Sequence, residues 1–145
     1  MAYADRFGHP IYTLPQVFQF LDRINLPQGH RQSPVLTDKH AANTPEGLAF
    51  ATLLQRYFIA NVPWENLELH YSSHHTVSLD PMYLFHKIVE KGCGRGGYCV
   101  EVNSVFGTVL RSLGYDIMTT GARVNEAVQQ IAASKNWKGP RYDGW

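Results

Sequence analysis

Arg95-Gly96-Gly97-Tyr98-Cys99-Val100-Glu101-Val102-Asn103 sets two adjacent glycines just ahead of a cysteine, and sets that cysteine at the start of an apolar-patterned helix. A helix N-terminus carries unpaired N–H groups and a partial positive charge, and both favour thiolate over thiol. In such places the pKa of a cysteine falls from about 8.5 into the range of about 3.5–7.5. The competing reading of Cys99 is a small buried hydrophobe, because free cysteine is among the most buried residue types. The glycine turn argues for the reactive thiol.

Downstream of the cysteine, Val102, Val105, Phe106, Val109, Leu110 and Leu113 recur at helical spacing, and Gly114 supplies a stop. Cys99 shares a face with Val102, Phe106 and Leu110, so its sulfur is expected to point toward the packed interior, at the floor of a cleft. Upstream, Thr13-Leu14-Pro15 reads as an N-cap with proline in the first turn of a helix ending near Asn25. Thr44-Pro45-Glu46 repeats the signal, with Leu48, Ala51, Leu54 and Phe58 as the apolar face up to Val62-Pro63. Asp80-Pro81 opens another helix, carrying Leu84, Phe85, Ile88 and Val89 and ending at Gly92. Residues 26–43 read as a long surface connection or arm, a length that points to a functional or mobile loop.

After Gly114 the pattern changes. Residues 115–124 are rich in β-branched and aromatic types and predict a strand, whereas 135–145 read as a Gly, Pro and aromatic loop. A strand without partners cannot bury its face, so the chain is expected to be the front part of a larger protein. The expected organisation is α+β: a helical bundle over residues 1–113 carrying the nucleophile, then the first strands and loop of an incomplete barrel over 114–145.

The 145 residues carry a formal net charge of +1, which gives no electrostatic argument for nucleic acid or an acidic membrane as partner. Cys93 and Cys99 do not form a disulfide framework, and neither a secretory leader nor a membrane-spanning run is evident. A reduced, cytoplasmic setting is the expectation. Of the seven histidines, His70, His74 and His75 are close in sequence but lack a Cys or carboxylate at ligand spacing, so no metal is expected.

A cysteine nucleophile needs a base within hydrogen-bond reach. Glu101 sits one turn on and reads as a structural acceptor rather than that base. Arg95 reads as half of an ion pair, with Glu65 of Pro63-Trp64-Glu65-Asn66-Leu67 as the partner.

These two segments closely resemble the arylamine N-acetyltransferases, in which Pro-Phe-Glu-Asn-Leu precedes Arg-Gly-Gly-x-Cys-x-Glu. The resemblance extends from about residue 10 to 124. It implies a cysteine-protease-like fold in which the helical bundle is followed by a β-barrel and a third α/β lid. It also implies Cys99 as nucleophile of a Cys-His-Asp triad, with Arg95, Glu65, Glu101, Gly96 and Gly97 supporting the site. Trp64, in place of the family's phenylalanine, lines the acceptor pocket with Tyr98. The reaction implied is ping-pong acyl transfer from acetyl-coenzyme A, or another acyl-coenzyme A, to an arylamine, arylhydrazine or arylhydroxylamine. The acyl-coenzyme A is a co-substrate, and no cofactor is held permanently.

No histidine follows His86, so the triad histidine and aspartate are expected outside this chain, and the 145 residues alone are expected to give no multiple turnover. A papain-like or transglutaminase-like cysteine enzyme, and a helical module with an inert thiol, are the alternatives.

Overall fold

The computed structural model describes residues 3–5, 7–90 and 94–121. It is mostly helical. A short antiparallel hairpin joins β1 (Tyr3–Ala4) to β2 (Pro10–Ile11), with Tyr3 opposite Ile11. Five α-helices follow: α1 (Leu14–Arg23), α2 (Pro45–Asn61), α3 (Leu67–Tyr71), α4 (Pro81–Phe85) and α5 (Cys99–Ser112). A π-helical turn, His86–Glu90, extends α4.

The helix starts follow from their caps. The Thr13 hydroxyl accepts from Gln16 N while Gln16 Oε1 accepts from Thr13 N, a reciprocal box that satisfies two donors of the first turn. Thr44 Oγ1 accepts from Gly47 N, and Asp80 Oδ1 accepts from Tyr83 N. Asn25, at φ 55°, closes the end of α1, and Gly114, at φ 91°, closes α5.

The core is built where helix faces meet. Phe20 of α1, Phe58 of α2 and Phe106 of α5 form a chain of rings, with centroids 5.6 and 4.9 Å apart and the second pair stacked. Leu54, Leu84, Phe85, Ile88, Val102, Val105 and Val109 are buried with them, each fully buried apolar side chain contributing about 1.5–3 kcal/mol. Tyr12 ties the hairpin to this core: its amide donates to Ser112 Oγ at 2.7 Å and its hydroxyl to Pro81 O at 2.9 Å.

Three expectations are corrected. Residues 26–43 are no arm: they fold into three 3-10 turns, Gln28–His30, Pro34–Leu36 and Lys39–Asn43, and bury Val35, Leu36, Ala41 and Ala42 in the core. The apolar face of α2 is Gly47, Phe50, Leu54 and Phe58, while Leu48 is 69 % exposed. Gly47 is needed on that face because a Cβ there would lie 2.3 Å from the Ala41 carbonyl oxygen. The strand expected over 115–124 does not form in its described part, 115–121. A strand needs a hydrogen-bonding neighbour, and Tyr115 instead anchors on the bundle, its amide on Leu110 O and its hydroxyl on Gly47 O. Residues 122–145, with the rest of that strand and the expected loop, lie outside the described residues, as do Gly92 and Cys93.

Candidate active site

The two sequence motifs meet through the backbone. Trp64 and Gly97 form an isolated parallel bridge, in which Glu65 N donates to Gly97 O at 3.0 Å and Gly97 N donates to Pro63 O at 3.4 Å. That approach leaves no room for a side chain on Gly96, and Gly97 is crowded by Glu101 of α5. A Cβ on Gly96 would sit 1.7 Å from the Pro63 carbonyl oxygen, and one on Gly97 would sit 3.0 Å from the Glu101 side chain. Chain direction at the glycine turn is thus set by contact between two segments distant in sequence.

Cys99 is the first residue of α5, half-buried, with a free thiol. The Tyr98 side chain gives the helix no capping hydrogen bond, and of the first-turn amides that of Glu101 donates to the Tyr98 carbonyl at 2.9 Å. The turn is held instead by Glu101, whose Oε2 accepts from Tyr98 N at 2.9 Å. Trp64 and Tyr98 flank it, 52 % and 44 % exposed.

Beneath the turn lies an alternating chain of charges. Arg95 Nε donates to Glu65 Oε1 at 3.0 Å, and Arg95 Nη2 reaches Glu68 Oε2 at 3.5 Å. Lys87 Nζ lies 3.4 Å from Glu68 Oε2 and donates to both oxygens of Glu101, at 3.0 and 3.1 Å. Glu68 also accepts from the Tyr83 hydroxyl at 2.7 Å and faces His74 Nε2 at 3.3 Å. The Tyr83 hydroxyl is the first cause holding the Glu68 carboxyl below its usual range, and Lys87 and Arg95 add to it against the opposing cost of burial. The same bond pushes Tyr83 up to about 12.

Sequence reasoning placed Glu65, Arg95 and Glu101 but missed Glu68, Lys87 and Tyr83. A signal existed for Lys87, which lies three residues after Leu84 and next to Ile88 and Val89 on a helix that is otherwise apolar inward. A lysine there has to be paired. Glu68 follows Glu65 by three but carries no such mark.

The histidines near the site also make contacts within their own loop. His74 Nδ1 meets Ser72 and Thr76 hydroxyls, and His75 Nδ1 meets Leu69 O. Among the described residues, no group of three or more His, Cys, Asp or Glu is arranged to hold a metal, and no helix is long and apolar enough to cross a membrane. Two open clefts, of about 660 and 680 Å³, are lined by residues other than Cys99, Trp64 and Tyr98.

A free thiol at a helix start, beside a glycine turn and an Arg95–Glu65 ion pair, is the arrangement the two motifs build, and comparison with known proteins gives the family. The N-acetyltransferase family pattern matches residues 48–136, and the chain belongs to the arylamine N-acetyltransferase family. It is 44 % identical to an N-malonyltransferase of Fusarium pseudograminearum over 94 % of this chain and 39 % of that protein. The N-malonyltransferase of Gibberella moniliformis is 39 % identical over 92 % of this chain and 39 % of its own length. A pineal gland isozyme of arylamine N-acetyltransferase from Gallus gallus is 40 % identical over 54 % of this chain and 26 % of its own length. The chain therefore spans about two fifths of the fungal relatives.

Proposed function

We propose that the whole protein is an acyl-coenzyme A dependent N-acyltransferase in which Cys99 carries the acyl group. The observation that carries this reading is the bridge between Trp64 and Gly97, which joins the two family motifs and sets Cys99 at the head of α5. The Cys99 thiolate attacks the thioester carbonyl, a new S–C bond forms, and coenzyme A leaves as a thiolate that takes up a proton. The nitrogen of the acceptor amine then attacks the enzyme thioester, the C–S bond breaks, and the amide leaves while the amine proton passes to the base. First-turn amides of α5 favour the thiolate at both ends of this cycle. The base and its orienting carboxylate are the triad histidine and aspartate, supplied by residues beyond this chain within a cysteine-protease-like bundle and barrel, in the cytoplasm.

Two fungal relatives named as N-malonyltransferases cover most of the chain, so malonyl-coenzyme A is the donor to test first, with acetyl-coenzyme A as the comparison. Arylamines remain the acceptor class, on the similarity to the chicken enzymes. The full-length protein mixed with malonyl-coenzyme A and no amine is expected to gain one acyl group on the peptide carrying Cys99, and an arylamine added afterwards should discharge it. Label retained in a Cys99→Ala protein removes the proposal. Discharge to peptide amines but to no arylamine would favour the transglutaminase-like alternative.

A further inference from the structure

Lys87 and Glu101 are the most deeply buried charges described, 4 % and 1 % exposed. Taking two charges out of water is costly, and a well-packed apolar pair of the same volume is commonly as stable or more so. Stability alone is therefore a poor reason for this pair, and its geometry offers another. Glu101 Oε2 accepts from Tyr98 N at 2.9 Å and lies against the Cα of Gly97, 3.0 Å from where a Cβ would stand. The carboxylate thus touches both residues immediately ahead of Cys99. Lys87 Nζ contacts both of its oxygens, at 3.0 and 3.1 Å, which fixes its position as well as its charge.

We propose that Lys87 is a positioning residue for Cys99: it holds the Glu101 carboxylate against Gly97 and the Tyr98 amide, and through Glu68 it ties the Arg95 clamp to the first turn of α5. This rests on the reading of Cys99 as the nucleophile. Lys87 touches no reacting atom. The charged and titratable groups that surround it are Glu68 and Glu101 directly, with Arg95, Tyr83 and His74 meeting Glu68, and Glu65 meeting Arg95. Without the ammonium, Glu101 is a buried carboxylate with no cation, and it either takes a proton or turns away from the amide. Either change loosens the turn that sets Cys99 at the start of α5 and so alters the field of the helix end at the thiol.

The test uses the full-length protein and iodoacetamide, with alkylation of Cys99 followed by peptide mapping between about pH 5 and 9, the range in which cysteine thiols ionise. In Lys87→Met, which keeps the volume and removes the donor, the rate profile is expected to move to higher pH by about half a unit or more, the scale of a helix-terminus interaction. Lys87→Gln combined with Glu101→Gln lets the two introduced amides hydrogen-bond to each other and to Tyr98 N without a buried charge, and is expected to restore the wild-type profile. An unchanged profile in a folded Lys87→Met protein overturns the assignment, and so does a double variant displaced as far as the single one. Should Lys87→Met fail to fold by circular dichroism, the double variant decides alone: a wild-type profile upholds the assignment and a raised one overturns it. Alkylation needs no acyl donor, so failure of every acyl-coenzyme A to label wild-type Cys99 would end the acyl-transfer reading while leaving this comparison intact.

Discussion

At the scale of single residues, the hydrogen bond from Tyr83 to Glu68 links the surface to the buried charges. Glu68, whose folded pKa lies below its ordinary value of 4.5, contributes stability that is present above that value and is lost as pH falls through the lowered one. Tyr83, raised from 10.0 to about 12, contributes stability present below 10 and lost as pH rises toward 12. One bond contributes to both windows, with Lys87 and Arg95 adding to that of Glu68, and Tyr83 is partly exposed, so solvent screening reduces the bond's worth. Tyr83→Phe is expected to lower stability at neutral pH by about 1 kcal/mol or less, with the difference from wild type narrowing at both pH extremes. Urea unfolding across a pH series measures it, and a constant difference at all pH values would show that the bond is not the cause. The Arg95–Glu65 pair was legible at this scale because a cation beside a glycine turn needs a partner and the other motif supplies a carboxylate. Lys87 carried a signal, a lysine on an inward apolar face, but its partner did not, because Glu101 already had a role as a helix-start acceptor.

At the scale of elements, the helices were legible where a cap and a period coincide, as at Thr13, Thr44 and Asp80, whose side chains all accept from the first turn. The face of α2 was misplaced because sequence period does not show which neighbour approaches. The Lys39–Asn43 turn comes so close that only Gly47 fits beneath it, which rotates Leu48 to solvent. Residues 26–43 were misread for the same reason: 3-10 turns have no long period, and the small or branched apolar residues spread over them left no stripe to see. What joins these elements near the site is Arg23 of α1. Its Nε donates to Ile88 O at 2.8 Å, its Nη1 to Asn61 O at 2.7 Å and its Nη2 to Arg95 O at 2.9 Å. One guanidinium thereby satisfies carbonyls at the end of α2, in the π-helical turn and just ahead of the glycine pair. Arg23→Met is expected to cost about 3 kcal/mol, several charge-assisted hydrogen bonds being lost together. Arg23→Lys should recover little of it, since an ammonium lacks the planar fork that spans three acceptors. A loss below about 1 kcal/mol for Arg23→Met in urea unfolding would mean the three carbonyls find other partners.

At the scale of the whole molecule, the bundle presents a half-buried thiol with two exposed aromatic rings beside it, Trp64 and Tyr98. Rings of that size left open to water next to the proposed nucleophile suit a surface that a substrate covers. The helices were legible from their caps and periods, and the chain spans about two fifths of its fungal relatives. Trp64 stands on the Pro63–Leu67 segment, bridged to Gly97, so its backbone is fixed by the glycine turn while the residue stays about half exposed. The ping-pong reaction proposed above would separate the two substrates in time, and this gives the ring a distinguishable role. If Trp64 lines the acceptor side, Trp64→Phe should leave the rate of Cys99 acylation by malonyl- or acetyl-coenzyme A within about twofold of wild type, since no transition-state contact of that step is lost. The second half-reaction should change: bulky arylamines gain and small ones lose, by about 10-fold or less, the scale on which pocket volume discriminates. Stopped-flow acylation followed by discharge to a series of arylamines separates the steps. A slowed acylation with unaltered amine preference would place the ring on the donor side and move the acceptor site to the far face of Tyr98.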